Sequence, residues 1–537
     1  MKKIQYLFAT IVLGLGLTSC GDSFLTQYPE GGVLLEDQFA QLPDNLKGSI
    51  LGIYSKLYEY GGEHDAFGLR SIDMYGDIQC GDMAMASSSY GWFEMYERGY
   101  FYSYAQGYLW SFYYDIINLA NLGTLAVEQN SAEILNTITS GEDPLETIKL
   151  QGYYYGQLLA IRGWAYASLL NYYCDPMDAL DEPMDVEKAL PVYTELDLDT
   201  LGAPLSTVSE VYERVYEDLS TAIDVLDYYG ALNQRSSKLE VTADVARIML
   251  AYAMLNHGHS EITIAGGKNA YQIAQEQAEA VIGKYPILSK EELLTTGFSD
   301  VNAKNWLWGQ DVTVETTTSL ASFFGQVDIH SYSYAAAGDT KAIDSKLYEE
   351  IEATGWDARV DWFNKPGEKE KAPYAPGRKF YNPGTKDETK LDKVDRDWLC
   401  DNVFMRVEVA YLIAAEAAYQ NGDEAAAKSH LQALCDERVL DGKDAEYNAW
   451  LGTLSGDALK KAIAYNWRVE MWGEGYGLQT LRRLTKTVTL GTNHLDRGEQ
   501  NVSVEGAEYI MYQCEIPTTE TRYNPALATT VLTQDKN

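Results

Sequence analysis

The chain is 537 residues long and carries 42 Lys and Arg against 79 Asp and Glu, a formal charge of −37 at pH 7. That balance excludes the basic footprint on which nucleic acids and anionic lipid surfaces depend. With 46% hydrophobic and 23% charged residues the composition is that of a folded globular protein, and the aromatics favour 41 Tyr and 11 Trp over 13 Phe, rings that join an apolar face to a polar handle.

In chain order, Lys2 and Lys3 precede an apolar stretch from Ile4 to Leu17 that is interrupted by Gln5, Tyr6 and Thr10. It is shorter than the ~20 apolar residues that span a bilayer, and it ends on the small residues of Leu17-Thr18-Ser19-Cys20, the layout of a signal peptide. Leu-Thr-Ser-Cys resembles a bacterial lipobox, so residues 1–19 are expected to be removed and Cys20 to be lipidated, with 20–32 as a polar tether. The other cysteines, Cys80, Cys174, Cys400, Cys435 and Cys514, form no Cys-x-x-Cys and read as isolated structural thiols.

Residues 61–104 intersperse glycines with Tyr, Trp and Phe without a helical period and read as an aromatic loop region. Tyr90, Trp92 and Phe93, flanked by Ser87–Ser89 and Gly91, are the candidate platform for a glycan, because a flat ring matches the C–H face of a pyranose. Asp73, Asp77 and Asp82 are the candidate acceptors for its hydroxyls.

A helical scaffold is expected over about 105–290 and 400–484. Trp110 lies at helical spacing with Tyr113, Tyr114 and Ile117 and reads as core. Residues 150–173 set Leu158, Ile161, Ala165, Leu169 and Tyr172 on one apolar face, with Tyr153–Tyr155 as packing residues. Val208–Leu226, capped by Ser206 or Thr207 with Glu210 as the acidic partner, predicts a second helix, and Val241–Leu255 and Tyr271–Ile282 read the same way. An irregular insertion follows at about 291–399, where Tyr332 and Tyr334 alternate around Ser333, a spacing that sets both rings on one face of an extended segment. Phe404–Tyr419 and Asp423–Val439 predict a helical pair turned at Asn421-Gly422 and similar to a tetratricopeptide repeat. The helices do not recur at a fixed period of 34, so the scaffold is repeat-like rather than a regular solenoid. A C-terminal segment, 485–537, completes the chain.

Catalytic signals are missing: the six histidines include no His-Glu-x-x-His, and there is no Gly-x-Ser-x-Gly or phosphate-binding glycine loop. No catalytic residue, metal or cofactor is predicted. A glycoside hydrolase stays open as an alternative, since it needs only two carboxylates in a cleft.

Several blocks in fixed order resemble the SusD/RagB family of outer-membrane nutrient-binding lipoproteins. Cys20, Asp22, Leu25 and Pro29 are similar to its opening motif. QLLAIRGWAYASLLNYYCDPM (157–177), LPVYTELDLD (190–199), STVSEVYERVYEDLSTAIDVL (206–226) and VTADVARIMLAYAMLNHG (241–258) resemble its N-terminal half. FMRVEVAYLIAAEAAYQNGDEAAA (404–427), RVEMWGEGYGLQTLRRL (468–484) and CEIPTTETRYNP (514–525) resemble its C-terminal half. Gly21-Asp22-Ser23 departs from the acidic cluster that commonly follows the lipidated cysteine. The resemblance implies a mainly α, tetratricopeptide-like scaffold with long irregular loop insertions and little β, as a single SusD-like domain over 20–537. It further implies a lipid-anchored protein on the outer membrane that binds an oligosaccharide or polysaccharide and delivers it to a SusC-like TonB-dependent transporter. Peptide binding, as in RagB-like members, is the alternative within the family.

Overall fold

The computed structural model describes residues 42–97, 103–141, 143–174, 188–194, 202–233, 237–258, 263–264, 266–367, 372–381, 399–495, 501–504 and 513–527. The expected signal peptide 1–19, lipidated Cys20 and tether 20–32 lie outside the described residues, as do Tyr100 and Tyr102 of the aromatic region.

Helices dominate: α1 (Asp44–Lys56), α2 (Leu69–Gln79), α3 (Ser103–Ala126), α4 (Glu146–Tyr173), α5 (Val208–Asn233), α6 (Ala243–His257), α7 (Ala270–Glu279), α8 (Glu408–Gln420), α9 (Glu424–Cys435) and α10 (Gly456–Glu470) are the elements used below. Strands among the described residues pair only in twos. Two of these pairs matter for the site: β1 (Met83–Met85) with β3 (Lys341–Ile343), and β2 (Trp306–Gln310) with β4 (Asn402–Arg406), both antiparallel.

The spine of the N-terminal half is α4, which packs between α3 and α5. It is buried nearly all round rather than along one face, because neighbours cover it on several sides. A stripe of glycines sets the closest approach. A Cβ added at Gly152 would lie 2.7 Å from the Tyr229 ring, one at Gly156 2.8 Å from Leu226, and one at Gly163 2.9 Å from Leu219. The falling order of the partners shows that α4 and α5 run antiparallel. Arg162 then locks the pair: its Nε and a terminal nitrogen donate to both oxygens of Asp218 at 2.8 and 2.7 Å, the bidentate geometry that suits a buried guanidinium.

Local signals explain most helix ends. Thr207 caps α5, accepting from Glu210 N at 3.2 Å while Glu210 Oε2 accepts from Thr207 N at 2.8 Å, a reciprocal capping box. The α8–α9 turn runs through Gly422 at φ +83°, the left-handed conformation that glycine adopts without a Cβ clash.

Three expectations need correction. The region 61–104 is not wholly loop, since it contains α2 and the start of α3. Ten of the eleven residues of α2 are buried, and a helix enclosed on every side shows no apolar period to read. Phe404 lies in β4 rather than at the head of a helix, so α8 begins at Glu408. The insertion 291–399 is more ordered than its composition suggests, holding β2, β3 and a helix at Ser345–Thr354.

The C-terminal half is organised around buried charge. Glu470, at the end of α10, accepts from Arg406 at 2.8 Å, Arg438 at 3.1 Å and Arg359 at 3.3 Å. Glu474 pairs with Arg406 at 2.8 Å and Lys379 at 2.9 Å, while Glu408 meets Arg438 and Asp357 meets Arg359. Four cations thus face four carboxylates, all at most 4% exposed. Burial pushes the Glu470 carboxyl up, but the three guanidiniums override it and hold it well below the carboxylate range.

A candidate ligand platform

The β1–β3 pair places two distant segments side by side. Ala84 faces Ala342 in the ladder, so the chain leaving β1 at Ala86 runs beside the chain entering β3. The pairing continues past the strands: Ala86 N donates to Thr340 O at 2.9 Å and Ser89 N to Gly338 O at 3.1 Å. Gly338, at φ +113°, permits this, because a Cβ there would stand 2.3 Å from Ser89 Oγ. Asp339 finishes the clamp, its Oδ1 accepting from Ser89 N at 2.6 Å and Tyr90 N at 2.7 Å.

Held this way, Tyr90 and Trp92 meet Tyr334 and a residue from the α1–α2 connection, His64. The His64 and Trp92 rings stack, with centroids 5.1 Å apart and planes inclined by 17°. Tyr334 stands edge-on to His64 at 5.5 Å and shares a hydrogen bond of 2.8 Å with its Nδ1. Tyr90 meets the same Tyr334 ring at 5.2 Å, and Tyr60 stands edge-on to His64 at 5.9 Å. Tyr90 is 59% exposed and Tyr60 44%, while Trp92 and Tyr334 are half-buried. The result is a fixed group of rings that still offers faces and edges to solvent.

Of the sequence candidates, Trp92, Tyr90 and Tyr334 are brought together. Tyr332 is half-buried on the same segment, but the segment is not extended: Ser333 caps a short helix, Tyr334–Ala337, by accepting from Ala336 N at 3.0 Å. The two tyrosines therefore do not share a strand face.

Phe93 and two aspartates do not belong to an exposed surface. Phe93 is 1% exposed; its backbone sits at φ +70°, which turns the ring inward against Phe67, Tyr75 and Tyr96. Asp77 is buried with its two oxygens accepting from Gly475 N at 3.0 Å and Gly477 N at 2.9 Å, and burial pushes its carboxyl up to about 7. Asp82 is buried against Arg468. Asp73 pairs with Arg70 at 2.6 Å, away from the platform rings. Burial pushes its carboxyl up to about 6. Asp77 and Asp82 thus join the N-terminal half to residues 468–477, and Asp73 is held by Arg70 on its own helix, instead of lining the platform.

His64 and Tyr60 were not among the residues singled out. Their signal was weak but present: Tyr60 borders the aromatic, glycine-punctuated segment and His64 lies within it, and an imidazole beside exposed rings serves as another flat face.

Among the described residues no group of His, Cys, Asp or Glu is arranged to hold a metal ion, and no helix is long and apolar enough to cross a membrane.

A family profile described as "Starch-binding associating with outer membrane" matches residues 50–250, and one described as "SusD family" matches residues 364–529. The chain belongs to the SusD/RagB family. Solved structures agree on the fold. A SusD-like carbohydrate binding protein from Bacteroides vulgatus ATCC 8482 superimposes with a TM-score of 0.65 at 20% identity, covering 90% of this chain and 97% of that one. A SusD superfamily protein from Bacteroides fragilis gives 0.67 at 20% identity over 91% and 99%, and one from Bacteroides thetaiotaomicron VPI-5482 gives 0.66 at 18% over 90% and 98%. No curated protein matches the sequence. As a SusD/RagB protein the chain is a non-catalytic binding protein associated with the outer membrane. The blocks that carry the SusD/RagB likeness are structural in this chain: Arg162 holds α4 to α5, and Arg468, Glu470, Glu474 and Gly475 supply the buried pairs and the backbone donor described above.

Proposed function

We propose that this SusD/RagB protein is held at the cell surface by a lipid on Cys20, captures an oligosaccharide on the platform of Trp92, His64, Tyr334 and Tyr90, and passes it to a SusC-like TonB-dependent transporter. The observation that carries the reading is the preformed cluster of part-exposed rings whose backbone is fixed by Asp339. A sugar offers a C–H face to such rings, and little ordering is needed at the moment of binding. The similar Bacteroides vulgatus protein is described as carbohydrate binding, which supports the ligand class.

Two or three rings worth about 0.5–1.5 kcal/mol each and a few net hydrogen bonds of about 1 kcal/mol give roughly 4–8 kcal/mol, a Kd between about 1 mM and 1 μM. Such an affinity suits a protein that must release its cargo. Affinity electrophoresis of the soluble body in gels containing a panel of polysaccharides tests the capture step. Retardation by at least one glycan, lost in the Trp92→Ala/Tyr334→Ala double variant, is expected; retention of peptides with no glycan retained would replace this reading by the peptide-binding one. Co-purification of a TonB-dependent barrel with the full-length protein tests delivery, and release from membranes in Cys20→Ala tests the anchor.

A further inference from the structure

A second concavity lies elsewhere, between α4, α6, β2 and β4 and residues 474–479, and shares no residue with the platform. Its volume is about 100 Å³, somewhat less than the sealed cavity of about 150 Å³ that holds a benzene. This one is not sealed: Trp164, Asn171, Tyr252, Phe404 and Tyr476 on its wall are half-buried, while Ser168, Asn256 and Trp308 are buried behind them.

Its lining is chemically mixed. Trp164 and Trp308 cross edge to face at 5.9 Å, Trp308 meets Phe404 at 5.1 Å, and Tyr252 meets Tyr476 at 5.2 Å. Between these rings stand the amides of Asn171, Asn256 and Gln479 and the carboxylates of Asp73 and Glu474. The carboxylates already have cations, Arg70 for Asp73 and Arg406 with Lys379 for Glu474, so they do not call for a cationic ligand, and among the described residues no Lys, Arg or His lines the cavity to attract an anionic one. One buried donor on this wall, Trp308 Nε1, has no acceptor among the described residues, a costly state that a ligand oxygen would relieve, and the Asn256 amide beside Tyr252 offers a second polar contact.

A neutral molecule with an apolar face and a rim of hydroxyls fits this lining, entering by one edge of its ring through the open mouth, since the enclosed space is smaller than a whole pyranose. We propose that this cavity is a second site, which takes a single pyranose unit, either as a free monosaccharide or as the end of a chain. The inference stands on the cavity's own lining and does not depend on the platform.

Titration of the full soluble body with glucose, galactose, mannose, xylose and N-acetylglucosamine, followed by intrinsic tryptophan emission and by saturation-transfer NMR on the sugar, tests it. At least one sugar is expected to give a saturable response through Trp164 and Trp308. Ser168→Leu, which fills the cavity, and Asn171→Ala, at its mouth and tolerable to the fold, are each expected to weaken that response tenfold or more, while Ser168→Leu leaves polysaccharide retention in gels intact. Trp92→Ala/Tyr334→Ala should show the reverse pattern, losing gel retention while still titrating with the monosaccharide. No response to any of the five sugars, an unchanged response in folded Ser168→Leu and Asn171→Ala, or its loss in Trp92→Ala/Tyr334→Ala would overturn the proposal.

Discussion

The guanidinium of Arg468 donates to Asp82 Oδ1 at 2.7 Å across a separation of 386 residues. It joins the last turn of α10 to the residue that precedes β1, so the segment carrying Trp92 is set on a base supplied by the C-terminal half. Both side chains are at most 10% exposed, and removing Asp82 leaves the buried Arg468 guanidinium without its ion-pair partner, with only the Glu350 carboxylate nearby. Asp82→Asn should therefore cost about 3–5 kcal/mol of unfolding free energy, measured by urea denaturation. Glycan retention by the folded fraction should be unchanged; loss of retention at full stability would return Asp82 to the binding surface.

Trp92 contributes a stacked face rather than core volume. Trp92→Ala should weaken glycan binding roughly 2- to 10-fold, the range given by about 0.5–1.5 kcal/mol per aromatic contact. Isothermal titration with the best-retained oligosaccharide measures it. A melting temperature within a few degrees of wild type separates lost contact from lost fold.

His494 gives a pH signature. Its Nδ1 lies 2.5 Å from Glu97 Oε1 and its Nε2 3.1 Å from Asp344 Oδ2. Burial pulls the imidazole down, but the two carboxylates outweigh it and raise it from 6.5 to about 9. A group raised on folding stabilises fully below its unfolded pKa and loses that contribution as pH climbs through the folded one. The difference in stability between wild type and His494→Gln should then be largest near pH 6, at about 3 kcal/mol for a shift of this size, and should fade between pH 6.5 and 9. A difference that grows with pH would mean that the imidazole is neutral in the folded state.

The glycine stripe on α4 predicts intolerance of side chains. At Gly163 a Cβ would stand 2.9 Å from Leu219 and 3.3 Å from the Val215 carbonyl oxygen, and the backbone atom cannot rotate away. Gly163→Leu should destabilise by about 1–3 kcal/mol or more, read as a lowered urea midpoint, whereas a side chain at Gly107, which meets nothing within 4 Å, should cost no more than the ordinary surface change.

The sequence made the helices legible where one face is apolar and an end is capped, as at α5 with Thr207 and Glu210 or at α9 with its Asp423 cap. It did not reveal α2, because Ile72, Tyr75 and Ile78 share their helix with buried Arg70, Asp77 and Gln79, and Arg70 and Asp77 are met by the Gly473 carbonyl and the Gly475 and Gly477 amides far along the chain. The same physics misdirected the site residues. Whether Asp77 faces water or the Gly475 and Gly477 amides some 400 positions away is a question of long-range pairing that no local window contains. Trp92 and Tyr90 stood out because rings among glycines have no helical period to serve, whereas Tyr334 was marked by its alternation with Tyr332 around Ser333, a pattern the helix at Tyr334–Ala337 replaces. His64 lacked that contrast, and its role depends on Tyr334, 270 residues distant.

The eight-charge cluster around Glu470 and Glu474 also makes distant parts of the chain depend on one another. Arg359, Arg406 and Arg438 converge on one carboxylate at residue 470, and until that residue is in place the three guanidiniums have no common counter-ion and stay hydrated. Residues 357–474 are therefore bound together through a carboxylate near their C-terminal end. The far end of the segment is thus a condition for burying the charges at its beginning.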